Sequence, residues 1–336
     1  MRRRDLPTEF RAAAPVRLDF AGGWTDVPPF SAREGGIVVN AAIGLSVHVE
    51  LKLGGPGIKL VALDLGEEIE CASAGDFVMD GRLDLHKAVL RMLPVQSACT
   101  LTTRSDAPPG SGLGGSGALD VALVAALALA RGERLSEREI AEHGWYLETV
   151  EARIPGGKQD QFAAALGGFH RLSFRDPDVG VEPITLDPVF AAALARQTVL
   201  CYTGKARVSG ATIARVMAAY ERGDPQVVGA LRAMKETAER MVDALRAADL
   251  ARVGALLAEN WRHQQALDPE MRTPEMAALE RALADAGSLG GKAAGAGAGG
   301  CMFFLVSDPR AGSAAARAAG ATLLPVAWAR EGVRAW

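Results

Sequence analysis

Apolar and polar positions alternate along the first half of the chain in patterns typical of strands and then of helices. Short apolar runs bounded by Gly, Pro and polar residues predict strands over 11–20, 37–53, 58–63, 99–104 and 169–174. Longer segments rich in Ala and Leu predict helices over 117–130, 136–153 and 158–166. Ser136 and Glu139 form the capping-box pattern that marks the start of the second of these helices.

The second half of the chain is mostly helical. The polar segment 175–180 is a candidate domain boundary, and beyond it the pattern predicts helices from 208 to 267, a helix over 274–286, and a closing strand, helix and strand over 301–306, 310–319 and 322–326. Strands mix with helices without a regular βαβ alternation, which favours an α+β fold in both halves. A length of 336 residues, at about 150 residues per domain, predicts two domains, which we place at 1–176 and 177–336.

Composition narrows the class of partner. The chain is 49% hydrophobic and 23% charged with a net charge of -3, so it lacks the basic surface that nucleic acids or anionic membranes require, and a small molecule is the expected partner. The longest apolar stretch, Ala118–Ala130, is interrupted by Asp120 and too short to cross a bilayer. No secretory signal follows the basic start at Met1–Arg4, and the four cysteines are far apart, which favours a reducing cytoplasm. The oligomeric state stays open, a homodimer included.

Glycine is the compositional feature that points to chemistry, because its 38 residues gather in a few clusters. The segment 108–117 lies between a predicted strand and a predicted helix, where backbone N–H groups and the helix dipole suit a phosphate, and Ser116 can offer its hydroxyl to Mg²⁺ or to a phosphate oxygen. No Lys precedes Ser116, so the segment is not a Walker A loop. Its glycines also satisfy Gly-x-Gly-x-x-Gly, which leaves a dinucleotide-dependent oxidoreductase as the alternative of another class; the second strand of that fold is missing from the pattern.

Two further clusters have both a binding and a structural interpretation. The segment 292–301 runs into a strand, so it brings backbone close to a ligand or to the first loop, or it is a connector. The segment 21–29 holds Trp24 and Asp26, which can offer a ring and a carboxylate to a sugar; the alternative is an Asp that caps a turn.

The fourth cluster, 155–161, places Asp160 in the first turn of a predicted helix. An Asp there is either a partner of the helix dipole or a base that acts on a substrate hydroxyl. Upstream, Glu148 and Glu151 lie three apart and share a helix face, so one of them can ligate Mg²⁺, or both are solvated.

Taken together, three segments in order resemble the three motifs of the GHMP kinases: 14–23, 109–116 and 292–300. Within that family, the residues at 22–29 and 156–161 resemble the branch that phosphorylates D-glycero-D-manno-heptose 7-phosphate, with the fucokinases next. The resemblance implies a two-lobed α+β fold, with an N-terminal lobe like ribosomal protein S5 domain 2 and a ferredoxin-like C-terminal lobe, and a cleft between them.

The resemblance also implies a role for each motif residue, with ATP and Mg²⁺ as cofactors. Asp160 is the implied base and Arg17 the implied stabiliser of the transferring phosphoryl group, while Ser116 and Glu148 hold Mg²⁺. The ATP phosphates lie on Pro109, Gly110, Ser111, Gly112, Leu113, Gly114, Gly115 and Ser116. The sugar lies on Gly23, Thr25, Asp26, Gly157 and Lys158.

The expected reaction is therefore phosphorylation of the anomeric hydroxyl of heptose 7-phosphate, with a fucose-like or cyclitol acceptor as the alternative. Trp24 stands where heptose kinases usually carry Gly, which favours the alternative acceptor. A phosphorylated acceptor also needs a basic pocket, for which Arg171, Lys205 and Arg207 are available.

Overall fold

The computed structural model describes residues 8–95, 98–205 and 209–336, which form two β-sheets with helices packed against them. The strands are β1 (Glu9–Ala21), β2 (Gly36–Leu53), β3 (Ile58–Ala62), β4 (Glu67–Cys71), β5 (Cys99–Ser105), β6 (Phe169–Arg175), β7 (Asp178–Pro183), β8 (Thr198–Tyr202), β9 (Ser288–Ala293), β10 (Cys301–Val306), β11 (Thr322–Leu324) and β12 (Arg334–Ala335). The helices are α1 (Phe30–Glu34), α2 (Asp84–Met92), α3 (Gly115–Ala130), α4 (Glu137–Tyr146), α5 (Gln159–Leu166), α6 (Pro188–Gln197), α7 (Ser209–Glu221), α8 (Pro225–Arg246), α9 (Leu250–Gln265), α10 (Pro274–Asp285) and α11 (Pro309–Ala318).

The first sheet is built around the long strand β2. Its order is β12-β1-β2-β5-β3-β4, and β6 with β7 adds to another part of β2. The pairs are antiparallel except for β3 with β5. Helix α3 packs on β1 and β2, and its apolar side chains are buried almost all round. A helix of this composition needs cover on every side, and α2, α4 and α5 supply the rest of it.

The second sheet is antiparallel, with the order β11-β8-β10-β9. Its helices begin where an Asp or Thr side chain accepts from the first free N–H groups and a Pro follows at the first helical position, as at Asp187, Asp224, Thr273 and Asp308. In the part of the chain that the structure describes, no helix is both long and apolar enough to span a membrane.

The two sheets share their cores. Trp24, Val27 and Phe30 follow β1 in the chain but belong to the buried cluster of the second sheet, which also contains side chains of α7 and β10, and the Phe30 ring packs on Tyr220 of α7. Helices α8 and α9 both contact β1, and α9 also contacts β9. The junction therefore brings the ends of β1, α3, α5 and the β9–β10 loop to one place.

Most predicted elements are confirmed, including the α+β class, but the pattern missed several short ones: α1, β4, α2, β7, α6, β8, β9 and β12. The polar segment 175–180 contains the turn of a hairpin in which β6 pairs with β7 in the first sheet. After β11 the chain returns to that sheet, where β12 pairs with β1. Polar residues signal a turn equally well inside a sheet and between domains, and the division at residue 176 stays a prediction.

Candidate active site

A cavity of about 670 Å³ opens at this junction. Its wall combines the segment 107–116 before and at the start of α3, the loop after β1, the start of α5 and the start of the β9–β10 loop. Most of the predicted site residues line this cavity. They are Arg17, Gly23, Asp26, Gly157, Asp160, Glu148 and the loop residues Pro109, Gly110, Ser111, Gly112, Gly114, Gly115 and Ser116. The fold thus brings four segments that are far apart in sequence to one wall.

The first glycine loop has the backbone that the sequence predicts. Gly110, Gly112 and Gly114 have φ angles of 66, 75 and 78°, a left-handed conformation that other residues adopt only at a cost. Helix α3 begins directly after the loop at Gly115, so its free N–H groups face the same side. Helix α4, not a strand, follows α3, and the dinucleotide-binding interpretation therefore fails for want of its second parallel strand.

The β9–β10 loop packs directly against this first loop. The N–H of Cys301 donates to the Ser111 carbonyl at 2.7 Å, and a Cβ on Gly300 would lie 2.5 Å from the same oxygen. Gly295 is similarly close to the Gly112 carbonyl, and Gly295 and Ala296 line the cavity. The loop is therefore not a free connector: its small residues allow two backbones to touch.

Arg17 joins three parts of the site. Its Nε donates to Asp160 Oδ1 at 2.8 Å, and its Nη1 donates to the carbonyls of Gly112 at 2.8 Å and Ala294 at 2.9 Å. The arginine is almost fully buried, whereas a quarter of the Asp160 side chain remains exposed. The carboxylate of Asp160 is thus held in place and still reachable from the cavity.

Asp160 stands close to α3 because a glycine faces it. A Cβ on Gly117 would lie 2.5 Å from the Cβ of Asp160, so α3 and α5 approach more closely here than larger residues allow. The contact places Asp160 beside the first turn of α3.

Glu148 and Ser116 form a second cluster next to this pair. Glu148 lies in the π-helical turn Leu147–Glu151 that follows α4, an irregularity often found at functional sites. Burial raises the pKa of Glu148 to about 7; the Ser116 hydroxyl lowers it, and repulsion from Asp160 raises it further. The Gln161 amide donates to Glu148 at 2.7 Å and to the fully buried Asp120 at 3.3 Å, which fixes the orientation of the glutamate.

The chemistry of Ser116 and Glu148 fits a magnesium ion, because both offer oxygen ligands and Glu148 forms no ion pair with the residues that the structure describes. Among the residues that the structure describes, no group of three or more His, Cys, Asp or Glu side chains is arranged to hold a metal. The two residues would therefore need oxygen ligands from a bound phosphate to complete such a site.

Asp26 lies on the other side of Asp160. Its Oδ2 accepts from the backbone N–H of Gln159 at 3.1 Å and its Oδ1 from the Gln159 amide at 3.2 Å. Burial raises the pKa of Asp26 to about 7, and repulsion from Asp160 and Asp19 adds to the rise. A Cβ on Gly157 would overlap the Asp26 carboxylate, so this glycine is what allows the approach.

The structure does not bring three of the predicted residues to the cavity. Thr25 is fully buried, and its hydroxyl accepts from Ile37 N–H and lies within donating distance of the carbonyls of Gly22 at 2.7 Å and Ile37 at 3.0 Å. Lys158 donates to Asp176 and Pro177 in the β6–β7 turn and covers the Trp145 ring. Leu113 is fully buried in the core of the first sheet. Each has a structural partner that a motif cannot show.

The basic residues considered for an acceptor phosphate also lie elsewhere. Arg171 pairs with Glu239 and Glu182, and Lys205 pairs with Glu275; neither lines the cavity. Arg207 lies outside the described residues. Of the two glutamates that share a helix face, Glu148 lines the cavity and Glu151 does not.

The opposite end of the cavity is mainly apolar and was not predicted. It is lined by residues of β2, β3, α2 and β5 and of the loops that follow β3 and β5, namely Val47, Ala62, Asp64, Leu65, Leu85, His86, Thr103, Ser105, Ala107 and Pro108. Burial lowers the pKa of His86 to about 4, so this end carries a neutral imidazole. Scattered single residues from separate elements leave no sequence motif that would reveal such a surface.

Sequence reasoning also missed Asp19, which lines the cavity beside Arg17. The ammonium of the fully buried Lys292 donates to the Asp19 carboxylate at 2.8 Å and to the Asp19 and Ala293 carbonyls. This pair joins β1 to β9 across the junction of the two sheets. The sequence did offer a signal for this pair: Asp19 and Lys292 have opposite charges, and each lies in one of the glycine-containing motifs.

Comparison with known proteins agrees with this architecture. The family model for the GHMP kinases N terminal domain matches residues 83–168, and the model for the GHMP kinases C terminal matches residues 241–323. D-glycero-alpha-D-manno-heptose 7-phosphate kinase of Campylobacter jejuni is 32% identical over 97% of this chain and 98% of its own length. The L-fucokinase/L-fucose-1-P guanylyltransferase of Bacteroides fragilis is 28% identical over 89% of this chain, which spans 34% of that longer protein.

Solved structures show the same fold. A D-glycero-D-manno-heptose 1-phosphate kinase from Bacteroides thetaiotaomicron superposes with a TM-score of 0.78 at 27% identity, covering 97% of this chain and 98% of that one. Lactococcus lactis galactokinase complexed with galactose superposes with a TM-score of 0.77 at 21% identity, covering 97% and 95%.

Proposed function

This chain belongs to the GHMP kinase family of ATP-dependent phosphotransferases, and from that premise we propose that it phosphorylates the anomeric hydroxyl of a sugar. The first acceptor to consider is D-glycero-D-manno-heptose 7-phosphate, which is supported by the 32% identical Campylobacter jejuni relative. The product would then be the 1,7-bisphosphate. The observation that carries the proposal is the Arg17–Asp160 pair at the junction of the two glycine-rich loops.

In this proposal Asp160 receives the proton of the attacking hydroxyl. Its carboxylate lies at the start of α5, is partly open to the cavity and is oriented by Arg17 Nε. Arg17 also places its positive charge beside the first glycine loop, where negative charge spreads over the phosphoryl oxygens during transfer. Asp26, with Gly157 beside it and Gly23 on the same cavity wall, holds the sugar hydroxyls next to Asp160.

ATP would lie along the length of the cavity. Its phosphates fit the loop from Pro109 to Ser116 at the start of α3, and its base fits the apolar end. Ser116 and Glu148 would hold Mg²⁺, which when bound neutralises phosphate charge. Gln161 keeps the Glu148 carboxylate turned toward Ser116.

A second acceptor class is favoured by the charges at the acceptor end. Asp19, Asp26 and Asp160 line it, whereas Arg171 and Lys205 are paired with glutamates away from the cavity. Arg17 and Lys292 are already paired with Asp160 and Asp19, so neither cation is free to bind an acceptor phosphate, and the carboxylate oxygens at this end suit the hydroxyls of an unphosphorylated sugar. The second candidate is therefore a fucose-like or cyclitol kinase, as the similarity to the fucokinase also suggests.

A coupled ADP-release assay over a panel of acceptors tests the proposal. The panel contains heptose 7-phosphate, the free heptose, fucose, related hexoses and a cyclitol, and the position of the new phosphate is read by ³¹P NMR. Turnover of heptose 7-phosphate alone supports the first acceptor, and turnover of a free sugar alone replaces it with the second. Absence of ATP-dependent turnover with every acceptor, by an enzyme that still binds ATP, would refute the sugar kinase assignment for this panel.

A further inference from the structure

Arg153 is a cation of the cavity wall that has no protein partner. It lies between Glu148 and the start of α5 and is exposed to the cavity. Its side chain makes no ion pair or hydrogen bond with the residues that the structure describes. Arg171, by contrast, is paired with Glu239.

The charge of the cavity gives this free cation its significance. Among the described lining residues the only other Lys or Arg is Arg17, whose Nε and Nη1 are already engaged by Asp160 and two carbonyls. The lining also carries five carboxylates, on Asp19, Asp26, Asp64, Glu148 and Asp160. A site that takes polyphosphate needs cations against this negative background, and Arg153 is the one left uncommitted.

The backbone of Arg153 is the second, independent observation. The π-helical turn ends at Glu151 with Ala152 as its C-cap, Arg153 has a φ of 57°, and the N–H of Ile154 then donates to the Glu148 carbonyl at 2.9 Å. This left-handed position after a helix end is normally occupied by Gly, because a Cβ is disfavoured there. A side chain retained in a strained conformation on a cavity wall points to a function for that side chain.

We infer that Arg153 is a phosphate-binding residue of the active site, which contacts either the phosphates of ATP or a phosphate on the acceptor. The inference rests on the proposed function, and its shared chemistry is a guanidinium that binds a phosphate dianion. Its position five residues after Glu148 places it on the same wall as the proposed metal ligands.

Arg153→Gly and Arg153→Gln test the inference together. Glycine removes the charge and the left-handed strain, whereas glutamine removes the charge and keeps a long side chain. Two controls match them away from the cavity: Ala248→Gly, at a left-handed residue with a φ of 55° after α8, and Arg252→Gln, at an exposed arginine of α9. Because glycine relieves strain but frees the unfolded chain, we expect the Tm of Arg153→Gly to stay within about 2 °C of the parent protein.

Binding and kinetics then distinguish the two sources of phosphate. If Arg153 contacts ATP, both variants weaken ATP binding about tenfold by calorimetry but leave adenosine binding unchanged. If it contacts the acceptor, both raise the KM of the phosphorylated acceptor about tenfold and leave the KM of an unphosphorylated one unchanged. If the binding constants for ATP and the KM values for the phosphorylated acceptor are the same in the Arg153 variants as in the two controls, the inference is overturned. The ATP and adenosine arm needs no turnover, so it stands even if the proposed acceptors fail.

Discussion

Replacement of Asp26 by Asn separates the stability of this site from its chemistry. Asp26 is buried between Asp160 and Asp19, and its pKa rises from an ordinary 3.8 to about 7. A shift of about three units corresponds to roughly 4 kcal/mol of destabilisation of the folded state once the carboxyl is ionised. Asn removes that charge at nearly constant shape, and a rotation of the Gln159 amide lets its unpartnered Oε1 accept from the new amide.

The raised pKa of Asp26 determines whether the free energy of unfolding rises or falls with pH. Between pH 6 and pH 8 the unfolded carboxyl is already ionised, while the folded one changes from mostly protonated to mostly ionised, so the folded state releases a proton and stability falls as pH rises. The contribution of Asp26 to this loss is about 1.4 kcal/mol over that interval. Asp26→Asn should therefore gain about 1.4 kcal/mol relative to the parent protein on going from pH 6 to pH 8.

Urea unfolding of both proteins at the two pH values measures this difference, and the contribution of Glu148 cancels because both proteins keep it. The same variant should raise the acceptor KM if Asp26 binds sugar hydroxyls. A difference in stability between the two proteins that is equal at pH 6 and pH 8 would refute the reasoning, since it would mean that Asp26 does not titrate in this range.

Three further substitutions test individual roles. Asp160→Asn should lower kcat by about 10²-fold or more if Asp160 is the base, and single-turnover kinetics showing a near-normal rate would leave it a positioning role. Ser116→Ala should raise the Mg²⁺ concentration needed both for half-maximal turnover and for calorimetric binding of a non-hydrolysable ATP analogue; an unchanged requirement would remove Ser116 from the metal site. Thr25→Val should cost about 2 kcal/mol in urea unfolding, because it removes the hydroxyl that accepts from the buried Ile37 N–H and donates to a backbone carbonyl, and it should not change the acceptor KM. A rise in that KM without loss of stability would restore Thr25 as a substrate contact.

The segments that carry chemistry could be recognised along the chain because each is continuous. The loop from Gly110 to Ser116 needs glycines at left-handed positions and a helix directly after it, and both signals are local. Asp160 in the first turn of α5 is local in the same sense. Long periodic elements such as α3 and β2 were predicted for the same reason, while short ones such as β8 and β12 depend on partners far away in the sequence.

Motif membership did not predict which side chain reaches the cavity. Thr25 and Asp26 are neighbours in one motif, yet the hydroxyl of Thr25 is used by backbone groups while Asp26 lines the wall. Lys158 and Asp160 divide in the same way. Neighbouring residues at a turn or a helix start point in different directions, and only the packing of the rest of the chain decides which direction is the cavity.

The sequence by itself determined the α+β class and the two glycine-rich loops, because these follow from local periodicity and local backbone requirements. The resemblance to the GHMP kinases added the expectation that Asp160 is the base and Ser116 a metal ligand. Only the tertiary structure decided that Arg17 joins Asp160 to both loops, that Glu148 and not Glu151 faces the cavity, and that Arg153 is a free cation on its wall. Those facts depend on distances between residues up to 277 positions apart, and they are set by how two sheets share one core.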